Sequence, residues 1–230
     1  MRHCSASVRR AFSLVELVAV VSIMTLLAGL GMPAVKGLTG SGSLSSGTRQ
    51  FAGWLTLARS EAISRHTRVR FAVARDWTGK EDARLRKVSL WAWNPEVEQY
   101  LPLTKWEELP IGVVIEPSLP GYIGDAEYAR ADNDSVRGEC VLDESFQSQA
   151  EFIAGTDKEP ITARFIEFLP SGSVRIPGGT KRNAIFVATQ GFTNPDGSLS
   201  YTSRAESSRP ATWAQVNVDT LTGRVRVYQP

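Results

Sequence analysis

Cysteine and histidine are almost absent from this 230-residue chain: there are two of each. So few thiols exclude a disulfide scaffold or a Cys-rich metal framework. Any His-based catalysis would rest on His3 or His66. Net charge is also scarce, at +2 from 26 Lys+Arg and 24 Asp+Glu. That balance removes the general electrostatic case for a protein that coats nucleic acid. No G-x-S-x-G, H-E-x-x-H, phosphate-loop or paired-Cys pattern occurs. Thr39-Gly40-Ser41-Gly42 is glycine-rich but lacks the Lys and the preceding strand of a phosphate loop. The chain is therefore read as non-enzymatic, with no catalytic residue, no metal and no cofactor. Asp132-Asn133-Asp134 lacks the Gly and distant Glu of a calcium loop and reads as solvated acid.

What is present is unevenly placed. Residues 1–11 hold Arg2, Arg9 and Arg10 and no acid, and they also carry His3 and Cys4. As a removable leader they would leave one Cys, Cys140, and one His, His66, so no internal disulfide could form. From Leu14 to Val35 runs LVELVAVVSIMTLLAGLGMPAV, in which Glu16 is the one charge. As a helix this run is about 33 Å long, enough for a bilayer core of roughly 30 Å. The basic flank would stay cytoplasmic and the bulk would be exported. No small-residue cleavage site follows the run, which favours a retained span over a secretory signal. An acid inside a membrane costs about 2.5–3.5 kcal/mol. Glu16 either reaches headgroups and water or pairs with a positive group on another molecule.

Arg9-Arg10-Ala11-Phe12-Ser13-Leu14-Val15-Glu16-Leu17 resembles the processing motif of type IV prepilins and type II secretion pseudopilins. The resemblance implies a cut by prepilin peptidase between Ala11 and Phe12, followed by methylation of the new Phe12 amine. It implies that Glu16 neutralises a subunit amine during filament assembly. Pro33 falls where many of these proteins have a proline that kinks the first helix. The family usually carries Gly before the cut; this chain has Ala11, which is also small.

Beyond the run, residues 36–48 are rich in Gly and Ser and read as a weak helix or a flexible linker. Residues 49–66 return to helical period, with Phe51, Trp54, Leu55, Ala58 and Ala62 on one stripe. Glu61 and Arg65 form an i,i+4 pair. His66 ends the helix, where a cation suits the dipole. Thr67 to Ala74 alternates and reads as an edge or half-buried strand. Further strands are expected at 87–93, 98–103 and 113–116. Residues 117–162 read as a long irregular excursion. Strands resume at 163–169, 174–176 and 184–189, the last apolar on both faces and therefore central. A final hairpin joins 213–218 to 224–228, with Val225 and Val227 facing in.

The fold class expected is α+β: a long N-terminal membrane-spanning helix followed by an antiparallel β-sheet head. The parts are a basic leader (1–11), an assembly helix (12–35), the Gly/Ser segment (36–48) and a head (49–230). Within the head an amphipathic helix (49–66) precedes sheets at 67–116 and 163–230. The order is similar to the minor-pseudopilin subgroup of type II secretion protein H and the pilus protein FimT. The carrying residues are Leu57-Ala58-Arg59-Ser60-Glu61-Ala62-Ile63, Phe168-Leu169-Pro170-Ser171-Gly172-Ser173 and Leu221-Thr222-Gly223-Arg224-Val225-Arg226-Val227. The chain is also similar to prepilin-like proteins of verrucomicrobial gene cassettes.

The function that this resemblance implies is a minor pilin or pseudopilin subunit in a pilus-like or secretion filament. Its partners would be other such subunits, the prepilin peptidase and methylase, and an inner-membrane assembly platform. It would sit in the bacterial inner membrane with the head in the periplasm, then move into the filament. The alternative is a minor pilin whose basic head captures DNA, through Arg68, Arg70, Lys181, Arg182, Arg224 and Arg226. The bland reading of those cations is that they solubilise strand edges.

Overall fold

The computed structural model describes residues 14–77, 84–117, 139–142, 149–154, 159–179, 183–194, 196, 198–202, 210 and 212–229. One helix, α1 (Leu14–Ser64), precedes all the strands. These are β1 (Val69–Trp77), β2 (Lys87–Asn94), β3 (Gln99–Pro102), β4 (Glu107–Glu108), β5 (Val113–Ile115), β6 (Glu139–Cys140) and β7 (Gln149–Ala154). Then follow β8 (Glu159–Phe168), β9 (Val174–Arg175), β10 (Asn183–Thr193), β11 (Leu199–Tyr201), β12 (Trp213–Asp219) and β13 (Val225–Tyr228). The chain divides into two units, 1–40 and 41–230.

In the first unit, α1 presents Leu17, Val18, Val20 and Val21 to solvent. Most other side chains of the apolar run, including Glu16 and Pro33, lie outside the described residues, as do Ala11 and Phe12 altogether. Among the described residues, no helix is long and apolar enough to cross a membrane.

The second unit is the antiparallel β head. One sheet has the order β3-β2-β1-β8-β7, with β4 added beside β2 and β9 beside β8. The other has the order β11-β10-β12-β13, with β5 and β6 beside β10. All described pairings are antiparallel except β6 with β10. The helical stripe is buried as its period requires: Phe51, Leu55, Ala58 and Ala62 are sealed, and Trp54 is half-buried. It packs on Val69, Phe71, Leu90, Ile166 and Phe168 from the first sheet. From the second it meets Ala184, Phe186, Ala188, Val216 and Val218.

Phe51 is where the three layers meet. Its ring lies 5.2 Å from Phe71 of β1 and 5.1 Å from Phe186 of β10, both edge-on. Phe71 and Phe186 are themselves 6.0 Å apart. Edge-to-face rings gain about 0.5–1.5 kcal/mol per pair beyond their burial.

The helix continues through the Gly/Ser segment 36–48. From residue 43 on, its side chains are described: Leu44 and Thr48 are buried, and the Thr48 hydroxyl donates to the Leu44 carbonyl at 2.7 Å. Gly47 lies against Pro110 and Val113, where a Cβ would meet side-chain carbons at 3.1–3.3 Å. Tertiary packing outweighs the poor helix propensity here. The helix stops at Ser64, and His66 follows with φ of 51°.

Three expectations need correction. β1 is central, between β2 and β8, and both of its faces are buried, because β8 arrives from far along the chain. The segment 117–162 is not irregular throughout: β6, β7 and the start of β8 fall within it. β7 owes its place to β8, which supplies a partner from Arg164 to Glu159. Val227 does not face in; it is 41% exposed on the edge strand β13, and Val225 is half-buried.

Replacing Phe51 by Ala should cost about 3–5 kcal/mol of stability, read as a lower denaturant midpoint. Leu57→Ala, on the exposed side of the same helix, should change stability by no more than about 0.5 kcal/mol.

Candidate functional site

Two constellations in the head bring together residues that are distant in sequence. The first closes the end of the head where α1 finishes. The Arg59 Nε donates to the Thr222 carbonyl at 2.9 Å and to the Gly172 carbonyl at 3.3 Å. The backbone N–H of Val174 donates to Thr220 at 2.7 Å, tying β9 to the turn before β13. Gly223 has φ of +64°, and a Cβ there would stand 2.0 Å from the Gly172 carbonyl oxygen and 2.9 Å from Arg59 Cδ. No side chain fits that gap. The three segments that carried the family resemblance therefore meet at one point. Asp219 fixes the turn, accepting from the backbone N–H groups of Leu221 and Thr222 at 3.0 and 2.9 Å.

A shallow concavity opens beside this point, lined by Thr56, Arg59, Gly223, Arg224, Val225 and Arg226. Arg224 and Arg226 are exposed. Among the described residues, no ion pair involves either of them.

The second constellation lies on the first sheet, on the face away from α1. Glu167 of β8 is wholly buried. It accepts from Tyr100 of β3 and from Arg175 of β9, and Arg70 Nε of β1 approaches at 3.4 Å. Arg70 also stacks over the rings of Tyr100, at 3.6 Å, and Phe165, at 4.2 Å. Arg68 lies 4.6 Å over the Trp93 ring. Cation–π stacking of this kind is worth about 0.5–2 kcal/mol, more where water is excluded. A buried carboxylate is tolerable only with such partners. The Tyr100 phenol is pushed up from 10.0 to about 12, first by burial and then by its bond to the Glu167 carboxylate.

The DNA-contact candidates are thus divided between elements. Arg68 and Arg70 sit in the aromatic layer of the first sheet, with Arg70 already paired to Glu167. Arg224 and Arg226 flank the concavity. Lys181 and Arg182 lie outside the described residues. Three further cations of the head are paired: Arg84 with Asp76 at 2.6 Å, Arg86 with Glu108 at 3.0 Å and Lys87 with Glu108 at 3.8 Å. Sequence reading gave no role to Arg59, Tyr100 or Glu167. A lone acid inside the apolar strand ARFIEFL was the available signal for Glu167. Among the described residues, no group of three His, Cys, Asp or Glu could hold a metal ion.

Tyr100 titrates higher folded than unfolded, so the folded chain keeps a proton that the unfolded chain releases. Its contribution is complete below pH 10 and lost as pH rises towards about 12. Denaturant titrations over that window should show stability falling with pH, and Tyr100→Phe should flatten that part of the slope.

No family model and no curated protein matches the chain. Solved structures similar to it include the following three. The minor pseudopilin EpsH of the Vibrio cholerae type 2 secretion system is 11% identical, with 82% of this chain and 98% of that one covered and a TM-score of 0.40. A crystal structure of the same EpsH gives 16% identity, 84% and 96% coverage and a TM-score of 0.40. The Pseudomonas aeruginosa type IV minor pilin FimU gives 14% identity, 84% and 96% coverage and a TM-score of 0.41.

Proposed function

We propose that this chain is a non-enzymatic minor pilin or pseudopilin subunit, held in the inner membrane by residues 12–35 and assembled from there into a filament. One observation carries the reading. A basic leader, Phe12, Glu16 and an apolar run stand at fixed spacing, and the same helix continues into the spine of a β head. The exposed Leu17, Val18, Val20 and Val21 fit this reading, because a surface of that kind needs lipid or other helices to cover it.

In this account prepilin peptidase cuts between Ala11 and Phe12, and the Phe12 amine is methylated. Glu16 is then carried in apolar surroundings, where an unpaired charge is costly. It finds its counter-charge on the amine of a neighbouring subunit, and that pairing sets the register of the helices. The head faces the periplasm and contacts the rest of the machine. A minor role suits the long segment 117–162, since a subunit repeated thousands of times must tile closely.

Glu16→Gln should insert and be processed normally. It should enter sheared filaments about tenfold less than the parent or worse, because the neighbouring amine then lacks its partner. Immunoblots of membrane and sheared fractions read both; incorporation at the parental level contradicts the pairing role.

A second reading has its own support. Arg224 and Arg226 flank an open concavity and have no acidic partner among the described residues. They suit phosphate, so the head would capture DNA. Filter binding should then weaken steeply with salt, and Arg224→Glu with Arg226→Glu should abolish it. No binding at low salt ends this reading.

A further inference from the structure

Two large apolar side chains are left in water at one end of the head. Ile111 is 82% exposed and Phe192 is 48% exposed. The strands beside them are tied together: Gln190 pairs with Val113, and the Gly191 N–H donates to the Gly112 carbonyl at 3.0 Å. Each apolar residue is the next one along from that bond. The two side chains are therefore presented by neighbouring backbone at one tip.

The position of this tip within the head follows from its contacts with α1. Gly47 lies against Pro110 and Val113. Arg59 and Ile63, three to four turns further along, reach Gly172 at the other end. Ile111 and Phe192 thus mark the end at which the helix enters the head. Eight residues, 36–43, separate Val35, the end of the apolar run, from Leu44, which is buried in the head. A tether of that length reaches at most about 30 Å by any path.

We propose that, before assembly, Ile111 and Phe192 dip into the interfacial zone of the bilayer and rest the helix-entry end of the head on the lipid surface. This rests on the reading that residues 12–35 are anchored in that bilayer. Lipid is favoured over a second protein by area. Two side chains offer roughly 300 Å², whereas a stable protein interface needs about 800 Å² from each partner. A bilayer surface demands no shape match, and apolar side chains enter it to a depth of about 5–10 Å.

The test uses the full-length chain reconstituted in phosphatidylcholine–phosphatidylglycerol vesicles, with Cys4→Ser to remove the thiol of the leader. Ile111→Cys, Phe192→Cys and Leu221→Cys are each labelled with a polarity-sensitive fluorophore. Leu221 is 67% exposed on the turn held by Arg59, at the opposite end, and the native Cys140 is buried. Nitroxide lipids labelled near the headgroup should quench positions 111 and 192 about twofold more than position 221, since only the former lie at interfacial depth. Equal quenching at all three positions, in protein that floats with the vesicles, overturns the proposal. So does a blue shift at 111 and 192 that grows with protein density without quenching, because a second copy then covers the tip. Protein that fails to float at all overturns the anchor reading instead, and with it this inference.

Discussion

The head depends on one packing event, the meeting of Phe51, Phe71 and Phe186. A helix and two sheets each bring one ring to it. Neither sheet can seal its inner face against the other alone, because the helix contributes Leu44, Leu55, Ala58 and Ala62 to the same core. Removing the helix would expose both inner faces at once. The stripe that many domains would use to cover one sheet here covers two, so the sheets and the part of α1 from Leu44 to Ala62 form one folding problem.

Around that core the structure spends its polar interactions on joining elements. Arg59 reaches from the helix to two turns that belong to different sheets. Val174 is bonded across to Thr220 between the same two turns. Glu167 gathers β1, β3 and β9 onto β8 on the far side of the first sheet. Its burial would be costly alone; three donors from three strands make it a connector.

The local parts of this fold were legible in the sequence. The period of Phe51, Leu55, Ala58 and Ala62 named the buried stripe, and the unbroken apolar run AIFVAT named β10 as central. What could not be read depends on partners distant in the chain. β1 alternates like a half-covered strand, and only the arrival of β8 makes it central. β7 is too short and too mixed to declare itself without β8 beside it. The hairpin end looked inward-facing from its alternation, yet β13 is an edge and Val227 stays in water. The site was legible in the same uneven way. The segments holding Arg59, Gly172 and Gly223 stood out by resemblance, but their convergence is a tertiary fact that no spacing contains. The spacing of Phe12 and Glu16 was plain, because a pattern within nine consecutive residues needs no fold to bring it together.

The functional account thus rests on a charge that has no partner within its own apolar segment and a head built around the continuation of that segment. Electron cryo-microscopy of fibres sheared from cells producing the full-length chain tests it most directly. The account predicts this chain in the fibre, beginning at Phe12, with the Glu16 carboxylate within about 4 Å of a neighbouring subunit's terminal amine. Fibres that lack the chain, or that hold it with residues 1–11 still attached and Glu16 facing no cation, would contradict it.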